Sequence, residues 1–198
     1  MGYTTLLDIL GASIVGGILL LNLLRVNGNL IENESIYNHD KNLQMDLVIT
    51  ASTIERDFNL LGYVNDVSLI GNNQNIFNGT TNSIRFRSDI DNNGSIDTIS
   101  YYLSDSTALS ETPNPRDMIL YRRLNNDIPY ILANNITRFR LTYLDSQLNE
   151  VTPPIGLASV VNFIRIEMRV EDPFAYDNKY SEAVWRRITV STNSINRI

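Results

Sequence analysis

The segment Asp89-Ile90-Asp91-Asn92-Asn93-Gly94-Ser95-Ile96-Asp97 has the residue types and the spacing to hold a hard cation. Oxygen donors stand at alternate positions, and a glycine follows where a ligand loop must turn sharply, as in the first half of a Ca²⁺ loop. Asp89, Asp91 and Asn93 offer side-chain oxygens, Ser95 its backbone carbonyl, and Asp97 a further carboxylate. The twelfth position of such a loop is Ser100 here, not a bidentate Glu, and no flanking helices show in the pattern. The same residues also read as an Asn-Gly hairpin turn between strands near Ile84 and Ile99. Both readings stay open. Ca²⁺ is the one candidate cofactor, and its chemistry here would be to stabilise a loop.

Asp8 is the second residue of interest. It is the only charge in the run Leu6 to Leu24, where Ser13 and Asn22 are the other clearly polar positions. A carboxylate near the start of an apolar helix is costly unless it sits at an interface or meets a cation. It is either a helix-start residue favoured by the macrodipole or a partner for a positive group, such as another subunit's N-terminal amine. Ala12 and Gly16 are four apart, as are Ser13 and Gly17, a spacing that lets helix backbones approach closely.

Other chemistry is excluded or finds no support. The 198 residues contain no Cys, which removes a disulfide scaffold, a Cys-based zinc site and a thiol nucleophile. His39 is the only imidazole and lies in the polar stretch Asn38-His39-Asp40, so a Ser-His-Asp triad would depend on it alone. Nothing resembles a P-loop or a dinucleotide fingerprint. A formal charge of -6 argues against a nucleic-acid partner, because phosphate neutralisation needs a cationic surface. Arg186-Arg187 could contact a partner. The expectation is a protein that is not an enzyme.

These residues need elements to place them. Leu6 to Leu24 is apolar on all sides and about the 20 residues needed to span a bilayer; a secretory signal peptide or a buried core helix are the alternatives. Asn27-Gly28-Asn29 predicts a break or softening. From Lys41 onward, Leu43, Leu47, Ala51, Ile54, Phe58 and Leu61 recur at helical steps, with Asp46, Thr50, Thr53, Glu55, Asp57 and Asn59 on the other sides. Gly62 suits a C-cap. The period then changes to two. Strands are expected over Ile84–Arg87, Ile96–Leu103, Met118–Arg123, Arg138–Leu144, Val160–Glu171 and Val184–Thr192. In the clearest, Ile164, Ile166, Met168 and Val170 alternate with Arg165, Glu167, Arg169 and Glu171. Loops are expected over Gly71–Asn82, Ser104–Arg116 and Asp172–Tyr180. Helices first and strands afterwards predict an α+β fold, a long hydrophobic-to-amphipathic N-terminal helix packed on a mostly antiparallel sheet. Three regions follow: an apolar helix over 1–28, its amphipathic continuation over 29–63, and a β-rich domain over 64–198.

The chain resembles type IV pilin-like proteins, especially minor pilins of type IV pili and J-type pseudopilins of type II secretion. Four segments carry the resemblance, in order from Met1 to Asp145, so that it spans most of the chain. Met1-Gly2-Tyr3-Thr4-Thr5-Leu6-Leu7-Asp8 looks like a short prepilin start. Ile54-Glu55-Arg56-Asp57-Phe58 with Gly62-Tyr63 looks like the end of the long N-terminal helix. Ile84 to Gly94, followed by Ser100-Tyr101-Tyr102-Leu103, resembles a strand, Asp-rich turn and strand. Ile131 to Thr137, leading to Phe139 through Asp145, resembles a later signature of the same domain.

The resemblance implies a filament subunit. Gly2 would precede the cleavage made by prepilin peptidase, and Tyr3 would become the new N-terminus. Asp8 would stand for the acidic residue that pairs with a neighbouring subunit's amine, and Ala12, Gly16 and Gly17 would lie in the packed filament core. The precursor would sit in the inner membrane as a single-pass protein and then move into a periplasmic or extracellular filament with other pilin or pseudopilin subunits. The alternative is a single-pass anchored extracytoplasmic binding module that does not polymerise.

Overall fold

One α-helix, α1 (Gly2–Asn59), accounts for the first 58 described positions. The computed structural model describes residues 2–64, 76–155, 161–176 and 179–190. The softening expected at Asn27-Gly28-Asn29 does not occur, and the helix runs through Gly28. A helical Gly costs only about 1 kcal/mol relative to Ala, and Leu23, Leu24, Leu30 and Ile31 on either side propagate the helix across it.

The chain forms two compact units, residues 1–41 and 42–198. In the first, no described residue is buried, and Leu6, Leu10, Ile14, Ile18 and Leu21 are exposed along with the residues between them. This stretch is long and apolar enough to cross a membrane, and it also fits a signal sequence. In the second unit, Leu43, Leu47, Ala51, Ile54 and Phe58 of α1 are buried in one core with the sheet, as their spacing predicts.

The helix ends through a turn. Leu61 is fully buried, and Gly62 takes φ 76°, the left-handed conformation that a residue with a side chain adopts only with strain. The Gly62 N–H then donates to the Arg87 carbonyl at 2.9 Å, which ties the exit to the sheet. Among the described residues eight strands follow: β1 (Ile76–Gly79), β2 (Ser83–Ser88), β3 (Asp97–Leu103), β4 (Met118–Leu124), β5 (Tyr130–Leu144), β6 (Glu150–Val151), β7 (Phe163–Tyr176) and β8 (Lys179–Val190). They make one sheet in the order β1-β2-β3-β4-β5-β7-β8, with β6 paired to β5. Every pairing is antiparallel. Alternation places Ile84, Phe86, Ile99, Tyr101, Phe139, Leu141, Ile164, Ile166 and Met168 in the core shared with α1. The fold is therefore α+β, with the amphipathic half of a long helix covering one face of an antiparallel sheet.

Several boundaries differ from expectation for identifiable reasons. The expected loop over 71–82 contains β1, whose Ile76 is fully buried; residues 71–75 lie outside the described residues. The loop expected over Asp172–Tyr180 is instead the far end of β7 and the start of β8, with residues 177–178 outside the described residues. Asp172-Pro173 reads as a breaker, but a register shift between Glu171 and Ala175 accommodates the proline, as bulges do. Met1, Val160, Ser191 and Thr192, which the expectations include, also lie outside the described residues.

Candidate functional site

The Asp-rich loop joins β2 to β3. Their antiparallel register sets Ser88 opposite Asp97, so the two ends of the loop stand side by side. The helix exit holds it: the Asp89 N–H donates to the Tyr63 carbonyl at 2.8 Å, and the Tyr63 hydroxyl donates to Asn92 Oδ1 at 3.2 Å. Asp89 is buried, and its two oxygens accept the N–H groups of Asn93 and Gly94 at 3.0 and 2.9 Å. Gly94 has φ 84° and Asn92 φ 58°, the turn conformations that Gly and Asn tolerate. Asp97 accepts from the Ile90 N–H at 3.3 Å and the Asn125 amide at 2.7 Å.

One carboxylate oxygen from each of Asp89, Asp91 and Asp97 lies within 4.8 Å of the others. Ligand oxygens sit about 2.3–2.6 Å from Ca²⁺, so oxygens sharing one ion are at most about 5 Å apart. The three carboxylates fit a hard cation by this test. Asn93 is committed inside the loop: its Oδ1 accepts the Ser95 N–H at 2.7 Å, and its amide donates to Asp91 Oδ2 at 2.8 Å. The fold thus gathers Asp89, Asp91 and Asp97, and uses Asn93 and Ser95 to shape the turn.

A second polar cluster was not expected. The helical pattern puts Asp57 among the polar sides of the helix, yet it is fully buried. Its Oδ2 accepts from the Tyr101 hydroxyl at 2.6 Å and from Arg122 Nε, and its Oδ1 accepts from Arg56 at 3.2 Å. Phe58 packs tilted against Phe86 and Tyr101, with ring centroids 5.3 and 5.6 Å apart, and seals this node. Burial, reinforced by the Asp57 charge, pushes the Tyr101 hydroxyl well above its ordinary pKa, so it stays a donor. Burial alone would lower Arg122, but the hydrogen bond and charge of Asp57 outweigh it and keep the guanidinium ionised. The signal was present in the spacing. Thr50 and Asp57 follow Leu43 at seven-residue steps, on the buried stripe, and Thr50 is buried too.

A third cluster lies where the turn before β4 meets β7. Glu171, expected on the solvent face, is buried; its carboxylate accepts from Asn114 at 3.0 Å and from Arg116 at 2.7 Å. Alternation assigned its face correctly, but another chain segment covers that face. Arg186 and Arg187, considered as partner contacts, are used internally: Arg186 pairs with Glu167 at 2.7 Å and Arg187 with Glu55 at 2.6 Å.

The remaining expected residues lie in the first unit. Gly2, Tyr3, Asp8, Ala12, Gly16 and Gly17 are all on α1 and exposed. A side chain added at Gly16 or Gly17 would meet nothing within 4 Å. The Ser13 hydroxyl donates to the Ile9 carbonyl at 2.8 Å, so its polarity is satisfied within the helix.

No family model matches this sequence, and no curated protein matches it either. What the fold defines is an architecture: a long N-terminal apolar helix whose later turns pack on an antiparallel sheet, a pilin-like arrangement.

Proposed function

We propose that this chain is a non-catalytic subunit of a type IV pilus-like or type II pseudopilus filament, of the minor-pilin kind, acting in assembly, adhesion or secretion. One observation carries the reading. The same helix supplies an unburied apolar unit with Asp8 as its only charge up to Leu24, and an amphipathic stretch built into the core of a β domain. Such a helix serves a membrane first and a helical filament core afterwards, because both environments solvate apolar side chains on every side. In this reading Gly2 precedes the peptidase cut, Tyr3 becomes the N-terminus, and Asp8 meets the amine of a neighbouring subunit. The partners are the inner membrane, prepilin peptidase and other pilin or pseudopilin subunits.

Mass spectrometry of membrane and filament fractions tests it. The reading expects filaments containing this chain with Tyr3 at the N-terminus, and loss of incorporation in Asp8→Ala. An intact Met1 everywhere, with the chain confined to the membrane and Asp8→Ala without effect, would replace it with an anchored binding module.

A further inference from the structure

We propose that the loop between β2 and β3 is a self-modification site: the folded chain converts Asn93 to aspartate and isoaspartate, with the Gly94 nitrogen as nucleophile and Asp89 as its base. The dipeptide Asn-Gly occurs three times, at Asn27-Gly28, Asn78-Gly79 and Asn93-Gly94. All three asparagines are exposed, so water reaches each of them. What differs is how the fold holds each side chain against the nitrogen that follows it.

Asn27 lies inside α1, where a side chain leans toward the helix N-terminus and away from the next nitrogen. Asn78 lies in β1 opposite Arg85, and a strand side chain stands roughly perpendicular to the sheet, off the line to the next nitrogen. Asn93 is in neither element. Its Oδ1 accepts the Ser95 N–H at 2.7 Å, which folds the side chain forward across Gly94. The Gly94 N–H donates to Asp89 Oδ2 at 2.9 Å. The nucleophilic nitrogen therefore has a carboxylate at hydrogen-bond distance to take its proton. The carbonyl under attack has an N–H aimed at its oxygen, where charge develops in the tetrahedral intermediate. Nucleophile and carbonyl carbon close a five-membered ring, so little orientational freedom is left to lose. Gly94 carries no side chain to hinder the approach, and the space around it is open. Asn93 Nδ2, the leaving group, donates to the exposed Asp91 carboxylate at 2.8 Å.

The steps balance without an oxidant or reductant. Asp89 takes the Gly94 proton as the bond from Gly94 N to Asn93 Cγ forms. The Cγ–Nδ2 bond breaks, and Nδ2 leaves as ammonia, having gained a proton through water. Water then opens the imide. Addition at Cγ breaks the new N–Cγ bond and leaves aspartate. Addition at the main-chain carbonyl carbon breaks the original peptide bond and leaves isoaspartate, whose main chain runs through the side chain. Either product adds a carboxylate to a loop that already holds Asp89, Asp91 and Asp97, so the conversion marks older copies of the chain at this loop.

The reaction needs only the loop and water, so its outcome is separate from that of the filament reading. The test is incubation of the full chain in detergent micelles at neutral pH, with EDTA present so that no cation competes for Asp89, followed by peptide mapping with mass spectrometry. A tryptic digest of the same chain, incubated alongside, supplies the three Asn-Gly pairs without the fold. In the digest the three should convert at rates of the same order. In the folded chain Asn93 should convert about tenfold or more faster than Asn27 or Asn78, and at least as fast as in the digest, the size expected of one positioned base. Asp89→Asn should slow Asn93 by about tenfold while leaving Asn27 and Asn78 unchanged. If that variant does not fold, the comparison of intact and digested wild type decides alone. Conversion of Asn93 no faster than that of Asn27 and Asn78 in the folded chain, slower conversion in the folded chain than in the digest, or a wild-type rate in folded Asp89→Asn would each overturn the proposal.

Discussion

Asp57 on the last turns of α1 accepts the Tyr101 hydroxyl of β3 at 2.6 Å, inside a core that excludes solvent from both side chains. Arg122 of β4 shares the same carboxylate oxygen. The three groups fix which turn of the helix lies over which strands, a register that apolar packing alone specifies less sharply. Removing one member of a buried ion pair costs about 3–5 kcal/mol, because the other is left uncompensated. Asp57→Ala should therefore lose about that much in urea unfolding, whereas Tyr101→Phe should lose about 1–2 kcal/mol, since Arg122 still holds the carboxylate. A loss below about 1 kcal/mol for Asp57→Ala would show that the packed aromatic rings carry the register unaided.

Gly79 at the end of β1 makes a different kind of contact. A Cβ at this position would stand 2.8 Å from the Tyr143 hydroxyl and 3.0 Å from Ile155. Tyr143 is fully buried and donates to the Thr80 carbonyl at 2.9 Å, so its ring has no room to withdraw. Gly79→Ala should destabilise the chain by about 1–3 kcal/mol through overpacking. Thermal unfolding measures it, and the double variant Gly79→Ala with Tyr143→Phe should recover part of the loss.

The strands were legible because each buries one face, which writes a period of two into residues such as Ile164 through Val170. The amphipathic half of α1 was legible for the same reason at a period of 3.6. Asp57 is polar in type but buried in position, and its seven-residue step from Thr50 places it on the buried stripe. The Glu171 cluster depends on strand register and on a covering turn. Those relations arise between segments far apart in the chain, and no local spacing encodes them.

The Asp-rich loop was legible as a cation motif, and the fold brings three of its carboxylates within reach of one ion. Three like charges this close repel one another, and loop N–H groups offset only part of that. Millimolar Ca²⁺ should raise the melting temperature of the full chain by a few degrees, following mass action on the folded state. Asp91 is exposed, so Asp91→Ala should abolish the Ca²⁺ shift while leaving the metal-free melting temperature within about 2 °C. A wild-type chain indifferent to Ca²⁺ would identify the loop as a plain Asn-Gly turn.

Asp117 provides a pH-dependent stability term. Both its oxygens are shut off from solvent and have no hydrogen-bond partner among the described residues, while the Thr112 hydroxyl beside it faces the Leu109 carbonyl at 2.9 Å. Burial raises its pKa to about 6, the charges of Glu171 and Asp172 add to the rise, and the Arg116 charge opposes it. The folded state thus holds a proton that the unfolded chain releases near pH 4. The contribution of Asp117 is most favourable below that pH, falls as the pH rises through 4 to 6, and levels off above about 7. Asp117→Asn, which keeps the shape and carries no charge, should stabilise the chain by on the order of 1–3 kcal/mol at pH 8. Its advantage should shrink to near zero by pH 4. Glu167, held below the usual carboxylate range by Arg186 and Arg138, contributes a slope of the opposite sign at acid pH. Because both chains share that slope, the difference between variant and wild type across a pH series isolates Asp117. A difference that does not change between pH 4 and pH 8 would mean that Asp117 does not titrate in this range.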